Sequence, residues 1–138
     1  MIGMDTNVLA RYYVDDESDT EAKKQHAAAR DLIEGGKPLM VCKTMLLELE
    51  WVMRGHYGFT PDRISRVFHH LLSLKQVEIE HRPAIEQALD HYAAGIDFAD
   101  ALHRASYATC ERMATFDDRR FARRARRLGL LPNVSLLK

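Results

Sequence analysis

The 138-residue sequence has 46% hydrophobic and 29% charged residues, the composition of a globular domain large enough to bury a core without disulfides. Twenty Lys and Arg balance twenty Asp and Glu, so any basic surface for nucleic acid must be local. No apolar run is long enough for a membrane span and no secretory leader is visible, so we expect a cytoplasmic protein without membrane partners.

Short apolar runs alternate with helical periodicity along the chain. The predicted strands are Met1–Asp5, Leu39–Cys42, Val77–Glu80, Arg112–Thr115 and Val134–Leu137. The first predicted helix begins at Val8. Six more are predicted over Thr20–Glu34, Thr44–Arg54, Pro61–Leu74, Pro83–Ala94, Asp97–Thr109 and Asp118–Leu128. Because helices separate the strands, the pattern predicts one three-layer α/β/α domain over residues 1–138, with a central, mostly parallel five-stranded sheet.

The first apolar run stops abruptly at Asp5-Thr6-Asn7. These polar residues have two interpretations. One of them caps the helix that follows. Alternatively, Asp5 is a ligand, because open α/β sheets bind their ligands at the carboxyl ends of the strands.

Three further acids lie on predicted helices. Glu48 falls at the border of the apolar stripe of Thr44–Arg54, whereas Glu50 is expected to project from the other side. A carboxylate at such a border is costly unless it is solvated, paired or liganded. Asp97 suits an N-cap, and Asp100 follows on the same helical face, where the helix dipole favours an acid.

Thr115 and the pair Asp117-Asp118 come at the end of the fourth predicted strand, and one of these acids could cap the next helix. Asp5 and Asp117 both follow strands, while Asp97 and Asp100 start a helix expected beside the same strand ends. Such positions converge on one crevice in an open α/β sheet. Several carboxylates repel one another there unless a cation is bound, and oxygen ligands favour Mg²⁺ or Mn²⁺. The combination therefore predicts a metal site.

The last predicted helix concentrates arginines on one side. Its apolar residues fall on the opposite side, as expected of an amphipathic helix. The arginine face is either solvated and ion-paired or a contact for phosphates or for an acidic protein segment. The residues concerned are Arg119, Arg120, Arg123, Arg124, Arg126 and Arg127.

Four short segments resemble the PIN-domain ribonucleases, specifically the VapC-type toxins of type II toxin–antitoxin systems. They are "MIGMDTNVLARY", "LLELEWVMR", "IDFADALHRA" and "ATFDDRRF". Each segment is short, but their order and spacing extend the resemblance over essentially the whole chain.

The resemblance implies a Mg²⁺- or Mn²⁺-dependent endoribonuclease, usually a homodimer, that is inhibited by a small antitoxin protein. The implied catalytic acids are Asp5, Glu48, Asp100 and Asp117, with Asp97 as an additional metal ligand and Asp118 as the neighbour that could replace Asp117. Thr6, Asn7 and Thr115 resemble the supporting polar residues. Arg119, Arg120, Arg123 and Arg127 become candidates for contacts with RNA or with the antitoxin.

Two other functions compete with this one. A phosphatase of the haloacid dehalogenase type would need a second Asp two residues after the first, where this sequence has Asn7. A non-catalytic or weakly catalytic PIN protein could instead act within an antitoxin complex whose operator-DNA contacts come from the antitoxin. The complete set of acids favours the enzyme over this alternative.

The remaining residues with chemical potential have structural interpretations. Cys42 and Cys110 lack metal-ligand spacing and are expected to be free thiols. His69, His70 and Trp51 occupy helical positions suited to the edge of a core or to an interface.

Overall fold

The computed structural model describes residues 1–16, 18–116, 128–129 and 132–137. Its residue contacts divide the chain into two compact units, Met1–His81 and Arg82–Lys138. Each unit is described separately below.

The first unit is built on a parallel three-stranded sheet of order β1-β2-β3. Its strands are β1 Ile2–Gly3, β2 Leu39–Val41 and β3 Val77–Ile79. Ile2 lies opposite Leu39, which in turn lies opposite Val77. Parallel neighbours need crossover connections, and helices supply them here, with two helices between each pair of successive strands.

Four helices complete this unit: α1 Thr6–Tyr13, α2 Thr20–Glu34, α3 Lys43–Gly55 and α4 Pro61–Ser73. Helix α1 packs on α2 and α3, α3 packs on α4, and α4 packs on β3. The N-terminus of α4 is well specified, because Thr60 accepts the N–H of Arg63 and Pro61 occupies the first turn. The core is aliphatic and aromatic; its fully buried members include Leu9, Ile33, Leu39, Leu49, Met53, Ile64 and Phe68.

The second unit contains helices α5 Arg82–Ala93 and α6 Phe98–Ser106, and strands β4 Arg112–Thr115 and β5 Asn133–Leu136. The two helices pack on each other, and the rings of Tyr92 and Phe98 meet edge to face, 5.5 Å apart. The two strands pair in parallel, with Arg112 opposite Asn133 and Thr115 opposite Leu136.

All five predicted strands are present, but the described residues pair them in two sheets of three and two strands. The single five-stranded sheet is therefore not observed. Strand β1 is shorter than predicted. The N–H of Met4 still donates to the carbonyl of Met40, but the next residue, Asp5, is already the cap of α1. An edge of two residues offers very few backbone groups for another strand.

Most predicted helices match to within a residue or two. Helix α1 begins at Thr6 rather than Val8, because Asp5 is itself the capping residue. Helix α6 ends at Ser106 rather than Thr109. The predicted helix Asp118–Leu128 lies almost wholly outside the described residues. No helix in the described part of the chain is long and apolar enough to cross a membrane.

Candidate metal and nucleic-acid site

Asp5 caps α1, which is the structural interpretation of the polar residues after the first strand. Its backbone is extended, and its Oδ1 accepts the N–H of Thr6 at 2.9 Å, which caps α1. The side chain is nonetheless exposed. Among the described residues, Oδ2 has no hydrogen-bond partner. The cap therefore uses one oxygen and leaves the other available to a ligand.

The two residues after Asp5 face different surroundings. Thr6 is 4% exposed, and its hydroxyl donates to the Sδ of Met45 at 3.2 Å, which joins the start of α1 to α3. Asn7 is exposed and lines a cavity of about 300 Å³ between α1 and α2. Thr6 thus holds the backbone that carries Asp5, whereas Asn7 faces open space.

Glu48 lies on the exposed side of α3. Its carboxylate makes no hydrogen bond or ion pair with any described residue. The buried side of the helix is formed by Leu46, Leu49, Glu50 and Met53. Glu48 is therefore accessible to solvent, and a metal ion or a water molecule would displace no contact with the described residues.

Glu50 contradicts its predicted position. It is 2% exposed, on the buried side of α3, and its Oε2 accepts from Arg54 Nε at 2.9 Å. Arg54 lies one helical turn later, and its side chain is 47% exposed. The buried carboxylate is therefore paired with a guanidinium group that reaches solvent. A glutamate and an arginine four residues apart can form an ion pair on a helix, and this spacing could have predicted the Glu50–Arg54 contact. Apolar periodicity alone does not include it.

Asp97 caps α6, as predicted. Its Oδ2 accepts the N–H of Asp100 at 3.3 Å. Asp97 is exposed and Asp100 is half-buried in the first turn, so both acids lie at the positive end of the helix dipole. The cap confirms the local interpretation of Asp97, and a metal-binding role remains a prediction for both residues.

Thr115 ends β4 opposite Leu136, and its carbonyl accepts the N–H of Leu137 at 2.6 Å. Several predicted site residues lie outside the described residues: Asp117, Asp118, Arg119, Arg120, Arg123, Arg124, Arg126 and Arg127. In the described part of the chain, no group of three or more His, Cys, Asp or Glu side chains is placed to hold a metal ion.

The donor chemistry of the described candidates fits a hard cation. Asp5, Glu48, Asp97 and Asp100 offer carboxylate oxygens, the ligands preferred by Mg²⁺ and Mn²⁺. Neither cysteine forms a disulfide; Cys42 is half-buried and Cys110 is exposed.

Comparison with protein families gives a match to the PIN domain over residues 2–127. The chain belongs to the PIN domain family. No curated protein matches the sequence. The matched range extends into both compact units and includes all four predicted catalytic acids. PIN domains are generally nucleases that use divalent metal ions, which agrees with the oxygen-rich set of candidate ligands.

The carboxyl edge of the three-stranded sheet in this PIN domain carries polar groups in addition to the predicted site residues. Because β1, β2 and β3 are parallel, Asp5, Lys43 and Glu80 all lie at this edge. Glu80 Oε1 accepts the backbone N–H of Lys43 at 2.9 Å, and Lys43 Nζ lies 3.3 Å from His81 Nδ1. His81 has a positive φ of 54°. The predicted site residues did not include Glu80 or His81, although an acid and a histidine directly after a strand could have pointed to them.

A buried arginine supports α6 in the second unit. Arg104 is fully buried and donates through its guanidinium to the carbonyl of Pro132, just before β5. Burial lowers the pKa of Arg104 to about 10. The pKa of His91 on α5 is also lowered, first by burial and then by the nearby Arg104 charge. Arg104 thus ties the helix that carries Asp97 and Asp100 to the strand that pairs with β4.

Proposed function

We propose that this PIN domain is a Mg²⁺- or Mn²⁺-dependent endoribonuclease that acts as the toxin of a toxin–antitoxin pair in the cytoplasm. The observation that carries the proposal is the family match over residues 2–127, which contains an exposed Asp5 at the carboxyl edge of a parallel sheet. Exposure matters because a metal ligand has to give up only water, and not a protein partner, when the ion binds.

In this proposal Asp5, Asp100 and Asp117 bind the metal directly or through water. Glu48 binds it too or orients a metal-bound water, and Asp97 adds a carboxylate beside Asp100. The ion, when bound, polarises the scissile phosphate and lowers the pKa of its water. Thr6 and Thr115 hold the backbone beside their acids, and Asn7 lies next to Asp5.

The proposed partners follow from the toxin assignment. An antitoxin protein inhibits the enzyme, a second copy of the chain completes a homodimer, and operator DNA is contacted only through the antitoxin. Trp51 supports a protein interface on α3, because its indole is 64% exposed and such side chains are enriched in interfaces. Arg119, Arg120, Arg123 and Arg127 are proposed to contact either RNA or the antitoxin.

The first test is cleavage of total cellular RNA by purified, antitoxin-free protein with Mn²⁺ or Mg²⁺. Asp100→Asn and an EDTA reaction remove the proposed ligand and the metal, respectively. Glu78→Gln is the matched control, because it also neutralises one carboxylate but lies exposed within β3. Discrete fragments are expected from the wild type and Glu78→Gln only.

Two results would contradict the proposal. Cleavage that persists in both Asp100→Asn and EDTA would show that the activity requires neither the metal nor Asp100. No cleavage by a folded protein with either metal, together with tight binding to an antitoxin, would favour the non-catalytic partner in an operator complex.

A further inference from the structure

A basic groove lies in the first unit, and none of the candidate carboxylates is among its lining residues. It is a cavity of about 560 Å³ bounded by α1, α2 and α4. Three arginines, Arg30, Arg63 and Arg66, line it together with tyrosine and histidine rings. Glu34 is the only acid among the described residues of its lining.

The charges in the groove leave a positive excess. Glu34 is paired within the groove, because its Oε2 lies 3.3 Å from Arg30 Nε, so Arg63 and Arg66 supply the excess charge. A cation–π contact with Phe59 positions Arg63, whose guanidinium carbon lies 3.7 Å from the centre of the ring. Arg66 is exposed and forms no ion pair with any residue that the structure describes. The groove therefore suits an anionic ligand that approaches Arg63 and Arg66.

Aromatic rings form the wall contributed by α1 and α4. Tyr12 and His70 lie with their planes 27° apart, and their ring centres are separated by 6.4 Å. The Tyr13 hydroxyl and His70 Nδ1 are 2.8 Å apart and hydrogen-bonded, which holds the imidazole in place. Burial raises the pKa of Tyr13 well above its usual value, so its phenol stays uncharged.

The residues that line the groove distinguish between two anionic ligands, an acidic helix of a partner protein and single-stranded RNA. An amphipathic helix of a partner protein needs an apolar groove for its anchor residues. Val67 is the only aliphatic side chain contributed by α4 among the described residues of the lining. Proteins that hold single-stranded RNA instead combine a positive groove with aromatic faces for stacking, and Arg with Tyr or His rings is that combination.

We propose that this groove binds a single-stranded segment of the RNA outside the bond that is cut. Arg63 and Arg66 contact phosphates, and the rings of Tyr12 and His70 support bases. Helix α1 links the two regions: Tyr12 and Tyr13 follow Asp5 by about two helical turns, or roughly 11 Å. The choice of RNA rests on the proposed function, whereas the groove and its charge do not.

Binding is measured without metal, so that its outcome is independent of cleavage. The probe is a fluorescein-labelled single-stranded RNA of about twelve nucleotides, titrated with protein in EDTA and low salt while fluorescence anisotropy is followed. Arg66→Glu is the test variant, and Tyr12→Leu removes one stacking ring. Lys24→Glu is the control, because Lys24 is exposed on α2 but lines neither cavity.

Arg66→Glu is expected to weaken binding about tenfold and to flatten its salt dependence, with the control close to the wild type. Tyr12→Leu weakens binding with little change in salt dependence. Circular dichroism verifies the fold of each variant. Equal RNA affinity for Arg66→Glu and Lys24→Glu would overturn the proposal. The same titration is repeated with an acidic helical peptide. If Arg66→Glu loses binding to the peptide but keeps its RNA affinity, the groove binds a protein and the proposal is also overturned.

The two proposals fail separately. A protein that cleaves RNA normally but shows no Arg66 effect on binding retains the nuclease function and loses the groove. A protein that never cleaves but whose RNA binding depends on Arg66 retains the groove and loses the nuclease function.

Discussion

The buried Glu50 carboxylate and the Arg54 guanidinium are 2.9 Å apart on successive turns of α3, and the glutamate side chain is only 3% exposed. A carboxylate in this position is stabilised by a nearby cation, because water solvates a charge poorly at this depth. The pair therefore stabilises the helix that also presents Glu48.

Replacement of Arg54 by Met is expected to lower the free energy of unfolding by about 1–3 kcal/mol. Urea denaturation measures the change. The control is Arg30→Met, which breaks the exposed pair with Glu34 and should cost under about 1 kcal/mol. Equal losses in the two variants would show that burial of Glu50 has no energetic consequence.

Substitution can separate the capping role of Asp5 from its proposed role as a metal ligand. Asp5→Asn keeps a good capping residue and should change the midpoint of thermal unfolding little. The same variant should lose metal-dependent RNA cleavage by about two orders of magnitude, because a neutral amide is a poor ligand for a hard cation. Asp5→Ala should lose both the activity and about 1 kcal/mol of stability. Full activity in Asp5→Asn would remove Asp5 from the metal site.

Asp97 gives a comparable separation in the second unit. Asp97→Ala removes the side-chain acceptor for the N–H of Asp100 and should destabilise the protein by about 1 kcal/mol. Asp97→Asn should restore most of that loss in chemical denaturation. If Asp97 is also a ligand, the Asn variant will still require more Mn²⁺ for half-maximal cleavage. An unchanged Mn²⁺ requirement would limit Asp97 to capping.

The lowered pKa of His91 predicts a loss of stability in mild acid. As the pH falls below the ordinary pKa of about 6.5, the unfolded chain binds a proton that the folded chain resists. The unfolded state therefore binds more protons, and stability falls with decreasing pH. Denaturation of His91→Gln and the wild type between pH 7.5 and pH 5 measures the effect, with a weaker pH dependence expected in the variant. Parallel curves for the two proteins would contradict it.

Local sequence signals were sufficient where neighbouring residues determine the structure. Thr60-Pro61 specified the start of α4, and Asp97 specified the start of α6, because caps depend on contacts within one turn. All five strands were identified from apolar runs, and the four segments around the acids led to the PIN family, which the match over residues 2–127 confirms.

Pairing between distant segments was beyond such signals. Apolar alternation shows that a segment can be a strand but not which strand it joins, so the division into sheets of three and two strands required the tertiary structure. The same limit applies to single side chains. Apolar periodicity placed Glu50 outside the buried side of α3, whereas its pairing with Arg54 allows it to be buried.

The sequence by itself determined the family, the order of the elements and the chemistry of the candidate ligands, because these depend on residue types and their spacing along the chain. Only the tertiary structure decided which oxygen of Asp5 the cap uses, that Glu48 is accessible, and that arginines from α2 and α4 share a groove with the tyrosines of α1. These features depend on distances between elements that are remote in sequence, and packing sets those distances.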